Sequence, residues 1–251
     1  MGAFFLGDYY MNIYDIADLK VGLNCHERTM MQAKKYLSAT QDCICDLTLI
    51  TNSDSVTAIT ERGEYITPFK TDINSYFAPH LCEGKSFYRK LISEFNGMMI
   101  HASAVVVDDK AYLFSAASGT GKSTHTGKWL ELFGKRAYIL NDDKPAVRVL
   151  DDGIYAYGTP WSGKYDISVN KKIKIQGICF LERGSENKIK PLIGKEAIIH
   201  MVHSSLRKLE SYEISVLLNT IEKIIADVPI YLMECTPTLE AAKLSYSIMS
   251  K

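Results

Sequence analysis

AYLFSAASGTGKSTHTGKWLELF, residues 111–133, opens as a buried strand, passes through a glycine-rich turn and continues as a helix. At its centre stands Ser118-Gly119-Thr120-Gly121-Lys122-Ser123-Thr124. Glycines at a strand-to-helix turn let backbone N–H groups converge on phosphate oxygens without a Cβ in the way. The start of the following helix adds partial positive charge. In this pattern Lys122 reaches the β- and γ-phosphates of a nucleotide, and the Ser123 hydroxyl is a ligand for Mg²⁺. Ala116 stands where the eight-residue pattern has its first glycine. The competing reading is a Gly-Ser turn that merely caps a helix.

Working outward, the next strand (136–140) ends in Asn141-Asp142-Asp143. Ligands of open α/β sheets bind at the carboxyl ends of strands, which would set this pair beside the loop. One carboxylate would then hold Mg²⁺ and the other accept a hydroxyl proton; a solvated turn is the alternative. His101 lies inside an apolar run (98–107), either as a core histidine or as a group aimed at the carboxylates. GTPWSGK (158–164) is a rigid loop carrying Trp161 and Lys164, suited to ligand contact if the two are displayed, or a structural turn if Trp161 is core.

The remaining pattern mixes strands and helices. Strands are expected at 43–50, 55–60, 63–67, 146–150, 154–158, 172–182 and 228–235. Helices are expected around 29–37 and at 86–95, 194–205, 211–226 and 238–249. This predicts an α/β core over 96–251 with a smaller α+β domain over 1–95.

Composition agrees with a globular chain: of 251 residues, 47% are apolar and 23% charged. Twenty-nine basic residues balance 29 acidic ones, so neither nucleic acid nor an anionic membrane is an expected partner. No stretch has the apolar length of a membrane span, and the acidic N-terminus is unlike a secretory signal. Six scattered cysteines are then read as reduced thiols of a cytoplasmic protein. Cys25-His26 with Cys43-x-Cys45 fits no standard zinc spacing. His200 and His203 form a helix face, and Lys171, Lys172 and Lys174 a solvated strand edge.

The run from Ile100-His101-Ala102-Ser103-Ala104, through the glycine-rich loop, to Ile139-Leu140-Asn141-Asp142-Asp143 resembles the C-terminal domain of HPr kinase/phosphorylase. That domain shares a P-loop superfamily with the ATP-dependent phosphoenolpyruvate carboxykinases. More closely, the chain resembles short HPr kinase-related proteins, among them serine kinases and kinases of peptide-modification clusters. The likeness covers about 98–182. It implies a mixed-sheet P-loop kinase core, ATP and Mg²⁺ as cofactors, and 118–124 as the ATP cradle. It further implies Asp142 as the carboxylate that activates the acceptor hydroxyl, Asp143 as a metal contact beside Ser123, and His101 as an active-site histidine. GTPWSGK stands where HPr kinases carry a long glycine-rich signature, and the metal and oxaloacetate ligands of the carboxykinases have no match.

The expectation is therefore an ATP/Mg²⁺-dependent kinase acting on a hydroxyl, either a seryl side chain of a peptide or protein or a small molecule such as serine. By analogy with family kinases it would assemble as a homo-oligomer. The alternative is a nucleotide-binding accessory protein without phosphoryl transfer, suggested by Ala116. A motor or transporter ATPase ranks below both, because no LSGGQ-type signature is present.

Overall fold

The computed structural model describes residues 11–69, 78–205 and 208–251. A five-stranded sheet comes first: β1 (Asn12–Ile16), β2 (Leu19–Asn24), β3 (Leu47–Thr51), β4 (Ser55–Thr60) and β5 (Gly63–Pro68), in that order. Its pairs are antiparallel except β2–β3, which is parallel and bridged in sequence by α1 (Glu27–Ala33). The seventeen-residue helix α2 (Ala78–Glu94) follows and packs on this sheet. After it come β6 (Gly97–Met99), β7 (Ala102–Val107), β8 (Lys110–Ser115), α3 (Lys122–Phe133), β9 (Ala137–Asn141), β10 (Ala146–Leu150), β11 (Gly153–Tyr157), β12 (Lys172–Arg183), β13 (Lys188–Leu192), α4 (Gly194–Ser204), α5 (Ser211–Asp227), β14 (Ile230–Cys235) and α6 (Leu239–Met249). The strands form a nine-stranded mixed sheet, ordered β6-β10-β11-β12-β8-β7-β9. The parallel strand β14 lies beside the end of β12, with β13 on β14. The molecule is thus a mixed α/β structure with two mixed sheets.

The large sheet is apolar on both faces, and the two-residue period of its strands sorts the side chains. Ala104, Val106, Leu113, Ile178 and Phe180 face a core closed by Met201 of α4 and Leu217, Ile221 and Ile224 of α5. Val105, Tyr112, Phe114, Cys179 and Leu181 face the other way, onto Trp129 of α3 and Ala241, Ala242 and Met249 of α6. On that side Trp129 is fully buried among Tyr112, Phe114, Phe133 and Tyr246, and its Nε1 donates to Ser245 Oγ at 3.0 Å. His125 lies in the same layer, 3% exposed, and burial lowers its pKa to about 4. A buried neutral histidine stabilises the fold above the ordinary value of about 6.5, and the contribution is lost as pH falls from there toward 4. Urea unfolding is expected to show this loss reaching about 3 kcal/mol by pH 4, and to show a shallower decline for His125→Gln.

Direction through the sheet positions the site. β9 is antiparallel to β7 and β7 to β8, so β8 and β9 run the same way. Their C-terminal ends therefore deliver the loop 116–121 and Asn141-Asp142-Asp143 to one edge.

Three expectations change. The run 98–107 is two strands, because the chain leaves β10 after Met99 and joins β8 at Ala102. At the break, the His101 N–H donates to Ser204 O at 2.7 Å and the Ala102 N–H to Asp143 O at 3.1 Å. The strand expected at 43–50 starts only at Leu47, and the helix expected at 86–95 starts by Ala78. The β1–β2 hairpin and β13 are additional.

Candidate active site

The loop between β8 and α3 has the geometry its glycines allow. Gly119 and Gly121 hold φ of +76° and +120°, and a Cβ on Gly119 would meet nothing within 4 Å; the backbone angle, not crowding, selects glycine there. Gly121 is the N-cap of α3 and no side chain caps the helix, which leaves its first N–H groups facing the loop. Thr120 N–H closes a turn onto Ala117 O at 3.1 Å. Ser118 and Thr124 are exposed, on the loop and in the first turn of α3. Lys122 Nζ donates to Ala116 O at 3.2 Å across the loop. Burial lowers the Lys122 pKa, opposed by the nearby Asp143 and Asp142 carboxylates. Arg183, at the end of β12, donates to Gly119 O at 2.7 Å.

The two aspartates have different partners. Asp142 Oδ2 accepts from Ser123 Oγ at 3.1 Å, and Oδ1 accepts from Ser103 Oγ at 2.6 Å. Ser103 in turn meets Thr126 of α3 at 2.9 Å, so Asp142 is fastened to the loop helix. Asp143 points elsewhere: Oδ1 lies 3.1 Å from His101 Nε2, and Oδ2 pairs with Lys144 Nζ. Burial raises the Asp143 carboxyl, but the His101 hydrogen bond and the Lys144 charge outweigh it and hold the pKa at about 2. The divergence is set by Asn141, which is fully buried. Its Oδ1 accepts from the N–H groups of Asp143 at 3.0 Å and Lys144 at 2.8 Å, while its Nδ2 donates to Thr159. His101 thus stands in the site rather than in the core.

Beyond Asp143 opens a cavity of about 440 Å³. Its walls include Lys144, Gly163 and Lys164 on one side and His80, Gly84, Lys85 and Tyr88 of α2 on the other, with Arg28 of α1. Trp161 lines it too, but as a core residue: it is 2% exposed and stacks on Phe87 at 4.8 Å, so the reading of Trp161 as a displayed side chain is corrected. Gly84 is the reason, since a Cβ there would lie 2.7 Å from the indole ring. Lys164 is exposed, with Nζ 5.4 Å from the centre of the Tyr165 ring.

The structure therefore gathers Lys122, Ser123, Asp142, Asp143 and His101 at one edge. Arg183, Ser103, Arg28, His80 and Lys85 join them without having been singled out in the sequence. Only Arg183 carried a usable signal, as the last residue of a strand that lies parallel to β8. As a metal site, Ser123 Oγ and Asp142 Oδ2 are hard oxygen donors within 3.1 Å of each other, which suits Mg²⁺. No cluster of three or more His, Cys, Asp or Glu side chains that could hold a metal occurs among the described residues, and no helix among them is long and apolar enough to cross a membrane.

No protein-family model matches the chain, and no curated protein matches it. Among solved structures, the chain is similar to the HPr(Ser) kinase/phosphatase from Coxiella burnetii. The identity is 12% and the TM-score 0.36, over 61% of this chain and 88% of that one. At that level of likeness the site has to be read from its own geometry.

Proposed function

We propose that the chain is an ATP/Mg²⁺-dependent kinase that transfers the γ-phosphoryl group to a hydroxyl. The observation that supports this best is the pair of diverging carboxylates: one bonded to Ser123 on the phosphate loop, the next bonded to His101 and facing a cavity. A phosphoryl-transfer site needs both, a ligand for the metal and an acceptor for the hydroxyl proton.

The geometry favours exchanging the two roles that the family resemblance implies. Asp142, joined to Ser123, is the better metal ligand. Asp143, on the cavity wall, is the better placed to take the acceptor's proton. MgATP, when bound, supplies the phosphoryl group and an electrophilic phosphorus. The loop amides of 118–124 and Lys122 hold the phosphates, Ser123 and Asp142 hold the cation, and Ser103 and Thr126 fix Asp142. Asp143 is ionised at neutral pH and accepts the proton of a hydroxyl beside it, while His101 and Lys144 keep it oriented. Arg183 braces the loop at Gly119.

Calorimetric titration with ATP in the presence of Mg²⁺ tests the nucleotide half of this reading. Lys122→Ala is expected to weaken ATP binding by at least about tenfold, because it removes a charge-assisted contact to phosphate. Unchanged ATP affinity in that variant would remove the phosphate loop from the site.

A further inference from the structure

The charged residues lining the cavity beside Asp143 are mostly cations. Arg28, Lys85, Lys144 and Lys164 line it, against one carboxylate, Asp143. Lys144 is matched by Asp143. Arg28 donates Nη2 to Gly163 O at 3.0 Å, which fixes its guanidinium against the 158–164 loop. Lys85 and Lys164 form no salt bridge among the described residues.

Two further groups shape the wall without adding charge. His80 is buried, and its Nδ1 lies 2.6 Å from Thr29 Oγ1. The single Thr29 hydroxyl proton goes to Glu83 Oε2, so the proton of the His80–Thr29 bond sits on Nδ1, and Nε2 keeps its lone pair. Burial, reinforced by Arg28, lowers the His80 pKa to about 4, so at neutral pH it adds no cation. Trp161 backs the wall from the core, with its Nε1–H buried and without a partner among the described residues.

Resting on the kinase reading above, we propose that this cavity is the acceptor site and that the acceptor is a small alcohol bearing an anionic group, carboxylate or phosphate. The anionic group lies among Arg28, Lys85 and Lys164, and the hydroxyl at Asp143. In the transfer the acceptor oxygen bonds to the γ-phosphorus, the bond from that phosphorus to the β–γ bridging oxygen breaks, ADP departs and the hydroxyl proton passes to Asp143. A neutral alcohol of the same size would offer Lys85 and Lys164 no opposite charge in the cavity. Specificity then resides in α1, α2 and the 158–164 loop, and the chemistry resides on the large sheet.

Trp129 and Trp161 are the only tryptophans, so Trp129→Phe makes Trp161 the sole reporter. In that background, with Mg²⁺ and a non-hydrolysable ATP analogue present, Trp161 fluorescence is titrated with glycerate, glycerol 3-phosphate and glycerol. Equilibrium dialysis of labelled glycerate against the unsubstituted chain repeats the comparison should the variant fail to fold. Glycerate or glycerol 3-phosphate is expected to bind at least about tenfold tighter than glycerol, the tighter of the two naming the anion, and Lys85→Met is expected to erase most of the preference. Equal affinity for all three, or binding of none, overturns the proposal. Analogue binding is read in the same samples by calorimetry. If it is retained, the kinase reading survives that failure; if it is absent, both readings fall.

Discussion

Asp143→Asn is expected to lower phosphoryl transfer about 10²–10⁴-fold at saturating ATP and Mg²⁺, with ATP affinity nearly unchanged. The amide keeps the size of the side chain and its place beside Gly163, but it cannot take up the proton of the acceptor hydroxyl. Asp142→Asn is expected to behave differently. Its carboxylate accepts from Ser123, so its loss should shift the Mg²⁺ concentration that supports turnover. Steady-state rates over a Mg²⁺ series separate the two. If Asp142→Asn instead abolished turnover at every Mg²⁺ concentration, while Asp143→Asn moved only the Mg²⁺ dependence, the roles would revert to those the family resemblance implies.

Glu213→Ala is expected to destabilise the fold by about 3 kcal/mol, the cost of removing the main partner of a buried charge and leaving it only the exposed Glu210 carboxylate at 3.1 Å. Arg89 on α2 and Glu213 on α5 are both almost fully buried, and they form a two-pronged pair: Nε to Oε1 at 2.8 Å and Nη2 to Oε2 at 2.6 Å. The guanidinium also lies 4.2 Å from the centre of the Tyr65 ring on β5. Glu213 further accepts from the Glu210 N–H, closing the capping box that starts α5. Arg89 therefore ties Tyr65 of the small sheet, its own helix α2 and Glu213 of α5 together. Thermal unfolding should fall by on the order of 10 °C. The double variant Arg89→Met/Glu213→Leu should recover much of the loss, since an apolar pair leaves no buried charge unmatched.

The strand, glycine-rich turn and helix were readable because every cue is local. An apolar strand, two glycines, Lys122-Ser123 and a helix occupy consecutive residues, and the observed β8, loop and α3 follow that order. The nearness of Asp142-Asp143 was also readable, since two antiparallel steps through β7 bring β9 parallel to β8. Which aspartate faces which partner was not, because the divergence depends on Asn141 anchored to Thr159 eighteen residues on. Trp161 was ambiguous because the space that takes its ring is made by Gly84, far away in sequence. The start of α2 was hidden because His80 and Glu83 look like surface residues; in the fold they are buried and bonded to Thr29, to Thr51 and to the His26 N–H. The β1–β2 hairpin gave no turn signal, since Ala17 and Asp18 take φ of +56° and +58° without a glycine. The cations of the cavity come from α1, α2 and two loops, a grouping that only the folded chain creates.

The measurement that bears most directly on the kinase reading is transfer of label from γ-labelled ATP. The protein is incubated with Mg²⁺ and acceptors of three kinds: seryl peptides, neutral small alcohols and small alcohols bearing a carboxylate or phosphate. Lys122→Ala runs in parallel. Label is expected on an anionic alcohol, dependent on Mg²⁺ and lost in the variant. ATP that binds through Lys122 yet keeps its γ-phosphate with every acceptor would contradict it, and would instead make the chain a nucleotide-binding accessory protein.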